Sequence, residues 1–142
     1  MLFRSTGKAV RLARHIAEPT LSVHPDDAMV IGLVEGGFAR IESVDGVATL
    51  RIGIDAGLPR GTVFAPFHWN DATSALARVD ALVHAATDAV SGQPELKATP
   101  VSVRAFSIAC EGMLVSRKRI TLPEWLQHTR ITIKGGDRKS VV

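Results

Sequence analysis

Short apolar runs, rather than long amphipathic stretches, set the rhythm of this chain. Residues 21–23 read as a short extended segment, and His24-Pro25-Asp26-Asp27 then supplies the chemistry of a helix start. Pro25 brings a preset φ, and Asp26 or Asp27 can accept hydrogen bonds from unpaired amides and complement the positive helix end. The short helix carries Ala28, Met29, Val30, Ile31 and Leu33, with Gly32 as its stop and Glu35-Gly36-Gly37 as a turn before residues 38–43 resume as a strand. In residues 48–54, Leu50, Ile52 and Ile54 fall on one face and Arg51 on the other, the pattern of a half-buried strand. Residues 55–61 break the chain, 62–67 extend again, and 101–108 form a further β-rich run. Residues 130–134 place Ile131 and Ile133 on one face and Thr132 on the other before Gly135-Gly136.

Strands of this length, separated by glycine turns and one or two short helices, predict a mainly β protein. A closed or nearly closed barrel fits them better than a helical or doubly wound fold. The connection over residues 70–99 is long for a small domain, and such connections usually carry function. It contains a short predicted helix around residues 72–83 and then Ser91-Gly92-Gln93-Pro94, which reads as an irregular loop. No internal repeat is visible, although the strand, helix, turn and strand of residues 21–43 suggest one half of a pseudo-symmetric barrel.

The 142 residues, 46% of them hydrophobic, suffice for one core. No run approaches the roughly 20 apolar residues of a membrane span. Residues 1–12 mix Arg4, Lys8 and Arg11 with too few apolar positions for a signal peptide. The expectation is a soluble cytoplasmic chain with no membrane contact. Cys110 is the single cysteine, which excludes an internal disulfide and a thiolate cluster made by this chain alone; it reads as a buried apolar residue in a reducing compartment.

The net charge of +3 is unevenly spread: Arg4, Lys8, Arg11 and Arg14 crowd one end, and Arg117, Lys118, Arg119, Arg130, Lys134, Arg138 and Lys139 the other. Solvated surface is the commoner meaning of such clusters, with an anionic partner as the alternative. Nucleic acid is disfavoured, because the chain has no tyrosine and only 5% aromatic residues on which bases could stack. Thr6-Gly7-Lys8 lacks the spacing and preceding strand of a phosphate loop. Asp26 and Asp27 are adjacent at a helix start and serve structure rather than paired carboxylate catalysis. With no nucleophile and base pairing in view, the isolated chain is expected not to be catalytic.

Two blocks, Pro66-Phe67-His68-Trp69 and Ser91-Gly92-Gln93-Pro94-Glu95-Leu96-Lys97, resemble the C-terminal dinucleotide-binding domain of bacterial molybdopterin oxidoreductases. Thr6-Gly7-Lys8, Arg14-His15-Ile16-Ala17-Glu18-Pro19 and His24-Pro25-Asp26-Asp27-Ala28 are similar to the opening of that domain in assimilatory nitrate reductases. Glu111-Gly112-Met113-Leu114-Val115-Ser116-Arg117 is similar to a tail that those enzymes carry. The resemblance implies a six-stranded double-psi β-barrel with short helices over residues 1–110, and a family-specific tail over 111–142, packed on the barrel or following it. It also implies contact with the pterin portions of molybdopterin guanine dinucleotide, whose molybdenum is held mainly by other domains of the parent oxidoreductase. Those domains are the implied partners, and no iron-sulfur cluster is expected in this chain. The implied activity of the parent is reduction of nitrate to nitrite, with a formate dehydrogenase as the alternative; outside the family the alternative is a basic β-barrel that binds RNA or an acidic protein.

The resemblance maps cofactor contacts onto Arg4, Ser5, Thr6, Gly7 and Lys8 in the opening loop, and onto Phe67, His68, Trp69, Ser74, Gln93 and Lys97. Such a set would offer amides, hydroxyls and an ammonium group to a pterin and pyrophosphate rich in acceptors and negative charge. His68 has no second histidine or carboxylate at ligand spacing and reads as a shape or hydrogen-bond contact, whereas Trp69 reads mainly as packing. The chain departs from the family pattern in two places: Ser74-Ala75-Leu76-Ala77 stands where the family has Asn-x-Leu-Thr, and Asp88-Ala89 where it has Asp-Pro.

Overall fold

The computed structural model of the chain describes residues 18–67, 69, 74–93, 98–118, 120–123, 125–132 and 138–141. Strand β1 (Thr20–Val23) leads into helix α1 (Pro25–Ile31), as the sequence predicts. The N-cap, however, is His24 rather than Asp26 or Asp27: its backbone is extended, and the Asp26 amide donates to its Nδ1 at 3.1 Å. The residue before a proline is pushed toward extended backbone, so with Pro25 inside the helix the capping place falls to residue 24. Asp27 is free for another task and accepts from the Gly61 amide at 2.6 Å, which ties the 55–61 turn to the helix. Gly32 ends α1 in the left-handed conformation (φ 70°), its amide turned back toward Ala28 and Met29.

The chain returns as β2 (Phe38–Glu42) and β3 (Val47–Ile54), an antiparallel pair, and then makes the very short β4 (Val63–Phe64). After β5 (Ser102–Phe106) the first sheet is complete, with order β4-β1-β3-β2-β5. β1 and β3 are parallel, from Thr20 opposite Arg51 to Val23 opposite Ile54, while the other neighbours are antiparallel. A parallel pair cannot be closed by a hairpin, and the crossover through α1 and β2 satisfies that need. A second, three-stranded antiparallel sheet has order β6-β8-β7, built from β6 (Met113–Ser116), β7 (Thr129–Thr132) and β8 (Arg138–Val141). The protein is mainly β with few helices, and among the described residues no helix is long and apolar enough to cross a membrane.

Alternation sets the core. Leu21 and Val23 of β1, Ala39 and Ile41 of β2, and Ala48, Leu50 and Ile52 of β3 are buried together, joined by Ala28, Leu33, Ala77, Val79 and Leu82. Three expectations need correction. Ile54 is only partly buried, whereas Thr49, on the supposed outer face of β3, is almost fully covered. The helix predicted around 72–83 is reduced to one 3₁₀ turn, Val79–Leu82, because Leu76 takes a left-handed backbone (φ 58°); residues 72 and 73 lie outside the described set. Cys110 is exposed, since the chain leaves the sheet after β5 and runs over the surface toward β6. Ile133, expected to share a strand face with Ile131, lies outside the described residues.

The turn between β2 and β3 passes close beneath the 3₁₀ turn: a Cβ on Gly46 would stand 2.3 Å from the Ala81 carbonyl oxygen. Overpacking against a backbone atom costs roughly 1–3 kcal/mol, so Gly46→Ala should lower unfolding free energy in urea by about that much. Leu50→Ala should cost about 2–5 kcal/mol. Gly112→Ala, which faces open space, should leave the midpoint within error.

Candidate functional site

Arg4, Ser5, Thr6, Gly7, Lys8, His68 and Lys97 lie outside the described residues. Phe67 follows the edge strand β4 with 38% of its surface exposed. Trp69 is half-buried, and its indole Nε1 is shielded from solvent without an acceptor among the described residues. A shielded donor of this kind is costly until something accepts from it.

Gln93 is exposed and sits on a tightly built turn. The Asp88 carboxylate accepts from the Val90 amide (3.0 Å), the Ser91 amide (2.7 Å) and the Ser91 hydroxyl (2.9 Å). The Gly92 amide donates back to the Asp88 carbonyl at 2.9 Å with Gly92 at φ 67°, and the Asp88 amide donates to the Gln93 carbonyl at 2.9 Å. The amide and hydroxyl of Ser91, followed by the Val90 amide, hold the Asp88 carboxyl below the ordinary aspartate range. Upstream, His84 Nδ1 lies 3.0 Å from Asp45, which fastens the start of this long connection to the β2–β3 turn.

Ser74 behaves differently from the other candidates. It is completely buried, its hydroxyl donates to the His128 carbonyl at 3.1 Å, and it lies 3.1 Å from the Thr129 hydroxyl. The candidates therefore divide: Phe67, Trp69 and Gln93 retain surface or an unused donor, and Ser74 faces the tail.

Arg51 was legible only as an outward charge on β3, yet it organises its surroundings. Its guanidinium pairs with Glu18 at 2.9 Å and with Glu111, donates to the Gly36 carbonyl at 2.6 Å, and stacks over the Phe38 ring at 4.6 Å. Burial opposes its charge, but hydrogen bonds and attraction from Glu111 and Glu18 outweigh that and raise its pKa above the usual arginine value. A small cleft lies between Arg51, Phe38 and the tail residues Gln127 and His128. With two carboxylates already on Arg51, the cleft presents little positive charge to an anion. The signal available in the sequence was a lone cation within an apolar strand; its partners are 33 and 60 positions distant in one direction or the other, or fall in a turn, and no local pattern names them. Among the described residues no group of three or more His, Cys, Asp or Glu could hold a metal ion.

The family profile for the molydopterin dinucleotide binding domain matches residues 4–100. The chain belongs to this family. A nitrate reductase of Klebsiella oxytoca is 40% identical over 130 residues, 92% of this chain and 15% of that protein. The alpha subunit of a formate dehydrogenase of Methanocaldococcus jannaschii is 30% identical over 98 residues, 69% of this chain and 14% of that protein. Among solved structures, the acetylene hydratase of Pelobacter acetylenicus superposes with a TM-score of 0.60 over 72% of this chain and 16% of its own, at 20% identity, a likeness of fold. This molybdopterin dinucleotide binding domain thus spans about 15% of the length of the nitrate reductase it matches.

Because the native pKa of Asp88 is lowered, its contribution to the 88–93 turn is fully present above the unfolded value of about 3.9 and is lost as pH falls through the lower native value. In an NMR titration the Val90 and Ser91 amide shifts should move together with a midpoint below the ordinary aspartate value. Asp88→Ala should abolish that step and speed amide exchange at Ser91 and Gly92.

Proposed function

We propose that this chain is the cofactor-clamping C-terminal domain of a cytoplasmic molybdenum oxidoreductase that reduces nitrate to nitrite, of the assimilatory type. The observation that carries this reading is the 40% identity to a nitrate reductase across 92% of the chain, which continues beyond the family match into the tail. The mainly β sheet with its β1–α1–β2 unit supports a six-stranded double-psi barrel over residues 1–110, with residues 111–142 as the tail. The partners are the other domains of the parent enzyme, which hold most of the molybdopterin guanine dinucleotide.

The described residues suit that group. An aromatic surface at Phe67, a shielded indole N–H at Trp69 with no acceptor among the described residues, and a carboxamide at Gln93 on a pinned turn match a heteroaromatic ligand rich in acceptors. Arg4, Ser5, Thr6, Gly7, Lys8, His68 and Lys97 complete the proposed contact set, the cations answering the pyrophosphate charge. When bound, the cofactor supplies the redox chemistry at its metal, while this domain orients the pterin and keeps water away from it. Because the Asp88 turn is already closed by its own hydrogen bonds, little ordering entropy is left to lose when Gln93 meets a ligand. A formate dehydrogenase is the second reading, favoured by the 30% identity to a formate dehydrogenase subunit.

Backbone NMR of the 142-residue chain, mixed with extracted molybdopterin guanine dinucleotide and separately with a structured RNA at two salt concentrations, tests the clamp. Shifts at Phe67, Trp69, Ser91 and Gln93 with the pterin are expected. Salt-sensitive shifts with RNA alone would replace the clamp by a basic RNA-binding barrel, and silence with the pterin would also overturn it. Grafted in place of the matched segment of the nitrate reductase, the chain should preserve nitrate reduction, and grafted into the formate dehydrogenase it should not preserve formate oxidation; the reverse result selects the second reading.

A further inference from the structure

The family match ends at residue 100, and β5 beyond it completes the first sheet; after β5, the described residues of the tail are bonded back into the matched part as well. Arg51 on β3 is paired with Glu111. The Gln127 carboxamide donates to the Thr49 carbonyl at 3.2 Å. The Ala75 amide donates to the His128 carbonyl at 2.9 Å, and the Ser74 hydroxyl meets both the His128 carbonyl and the Thr129 hydroxyl, buried from solvent. Thr49 in turn donates its amide to the Leu76 carbonyl at 2.6 Å, so tail, β3 and the stretch 74–76 close a ring of hydrogen bonds.

We infer that Glu111 and residues 125–129 act as a strap that positions residues 74–77, and that Ser74 and Thr129 are positioning residues acting through it. The hydroxyl inventory decides this for Ser74. A serine has one proton to donate, and within this buried pair the two hydroxyl protons serve the His128 carbonyl and the contact between the hydroxyls. Ser74 keeps no donor for a ligand. What it holds is the backbone of residues 74–77, which includes the left-handed Leu76 and follows Trp69 in the chain, whose shielded indole has no acceptor among the described residues. The tail thereby takes over, by hydrogen bonding to the backbone, a place that the family resemblance assigns to a direct contact. The effect on cofactor binding rests on the clamp reading above; the strap itself does not.

The test uses the 142-residue chain with Trp125 changed to Phe, so that Trp69 is the single indole reporter. Thr129→Val and Ser74→Ala remove the hydroxyl contacts, Thr129→Ser retains them, and Gln93→Ala removes a proposed ligand contact outside the strap. Thr129→Val should speed Ala75 amide exchange at least tenfold and shift the Trp69 indole N–H resonance, with Ser74→Ala doing the same, at melting temperatures that keep the chain folded. Thr129→Ser should restore both signals, and Gln93→Ala should alter neither. With extracted molybdopterin guanine dinucleotide, Thr129→Val should raise Kd several-fold, and Gln93→Ala should also raise it. Unchanged Ala75 exchange and an unchanged indole resonance in both Thr129→Val and Ser74→Ala overturn the strap. An unchanged Kd in a Thr129→Val variant whose parent binds overturns its role toward the cofactor. A parent that binds no pterin, with the exchange and indole results as expected, overturns the clamp reading alone.

Discussion

Strand β3 is the centre of the first sheet, and its pairings organise the rest of it. Its second half pairs with β1 in parallel from Arg51 onward, Val47 to Arg51 pair with β2, and before the β1 pairing begins its Thr49 amide is taken by Leu76. The parallel pairing is the demanding one, since it joins residues about thirty positions apart and requires a crossover before any bond forms. Helix α1 makes that crossover short: Gly32 turns the chain sharply, Leu33 and Ala28 enter the core, and β2 then runs back along the free edge of β3. Leu50 and Ile52, buried between these neighbours, gather the apolar groups of all the surrounding elements into one cluster.

The opposite face of β3 would be expected to meet water, and it is only partly open to it. Arg51 lies there with its charge answered by Glu18 before the sheet and Glu111 after it, and with its guanidinium plane over Phe38. Taking a cation partly out of water is unfavourable, and two carboxylates, a carbonyl and an aromatic face together offset that cost. The same group that could have been read as an anion contact is thereby occupied in joining distant segments.

The loops at the sheet edges obey a related economy of polar groups. In the 88–93 turn, one carboxylate and one carbonyl of Asp88 answer three amides and a hydroxyl, so that the turn is shaped before any ligand arrives. At Trp69 the opposite holds, with a donor shielded and unanswered among the described residues. A turn whose polar groups are already satisfied and a donor that is not are each features that a preorganised contact site uses.

Local chemistry made much of the first sheet legible from the chain itself. Residues 21–23, the Pro25 start and Gly32 stop of α1, and the alternation of 38–43 and 48–54 depend on backbone preferences and side-chain period, which neighbours in sequence express. The two aromatic and glycine-bearing blocks likewise identified the family, because their spacing survives independently of contacts. What the tertiary structure alone decided lies where partners are remote. That His24 rather than an aspartate caps α1, that Cys110 is exposed, that Thr49 is covered and that Ser74 is bonded to residues 128 and 129 all depend on which surfaces the chain folds back upon. A hydroxyl or a cation carries no mark in sequence of whether its partner is solvent, ligand or a residue 54 positions away; burial makes that choice, and burial is a property of the whole fold.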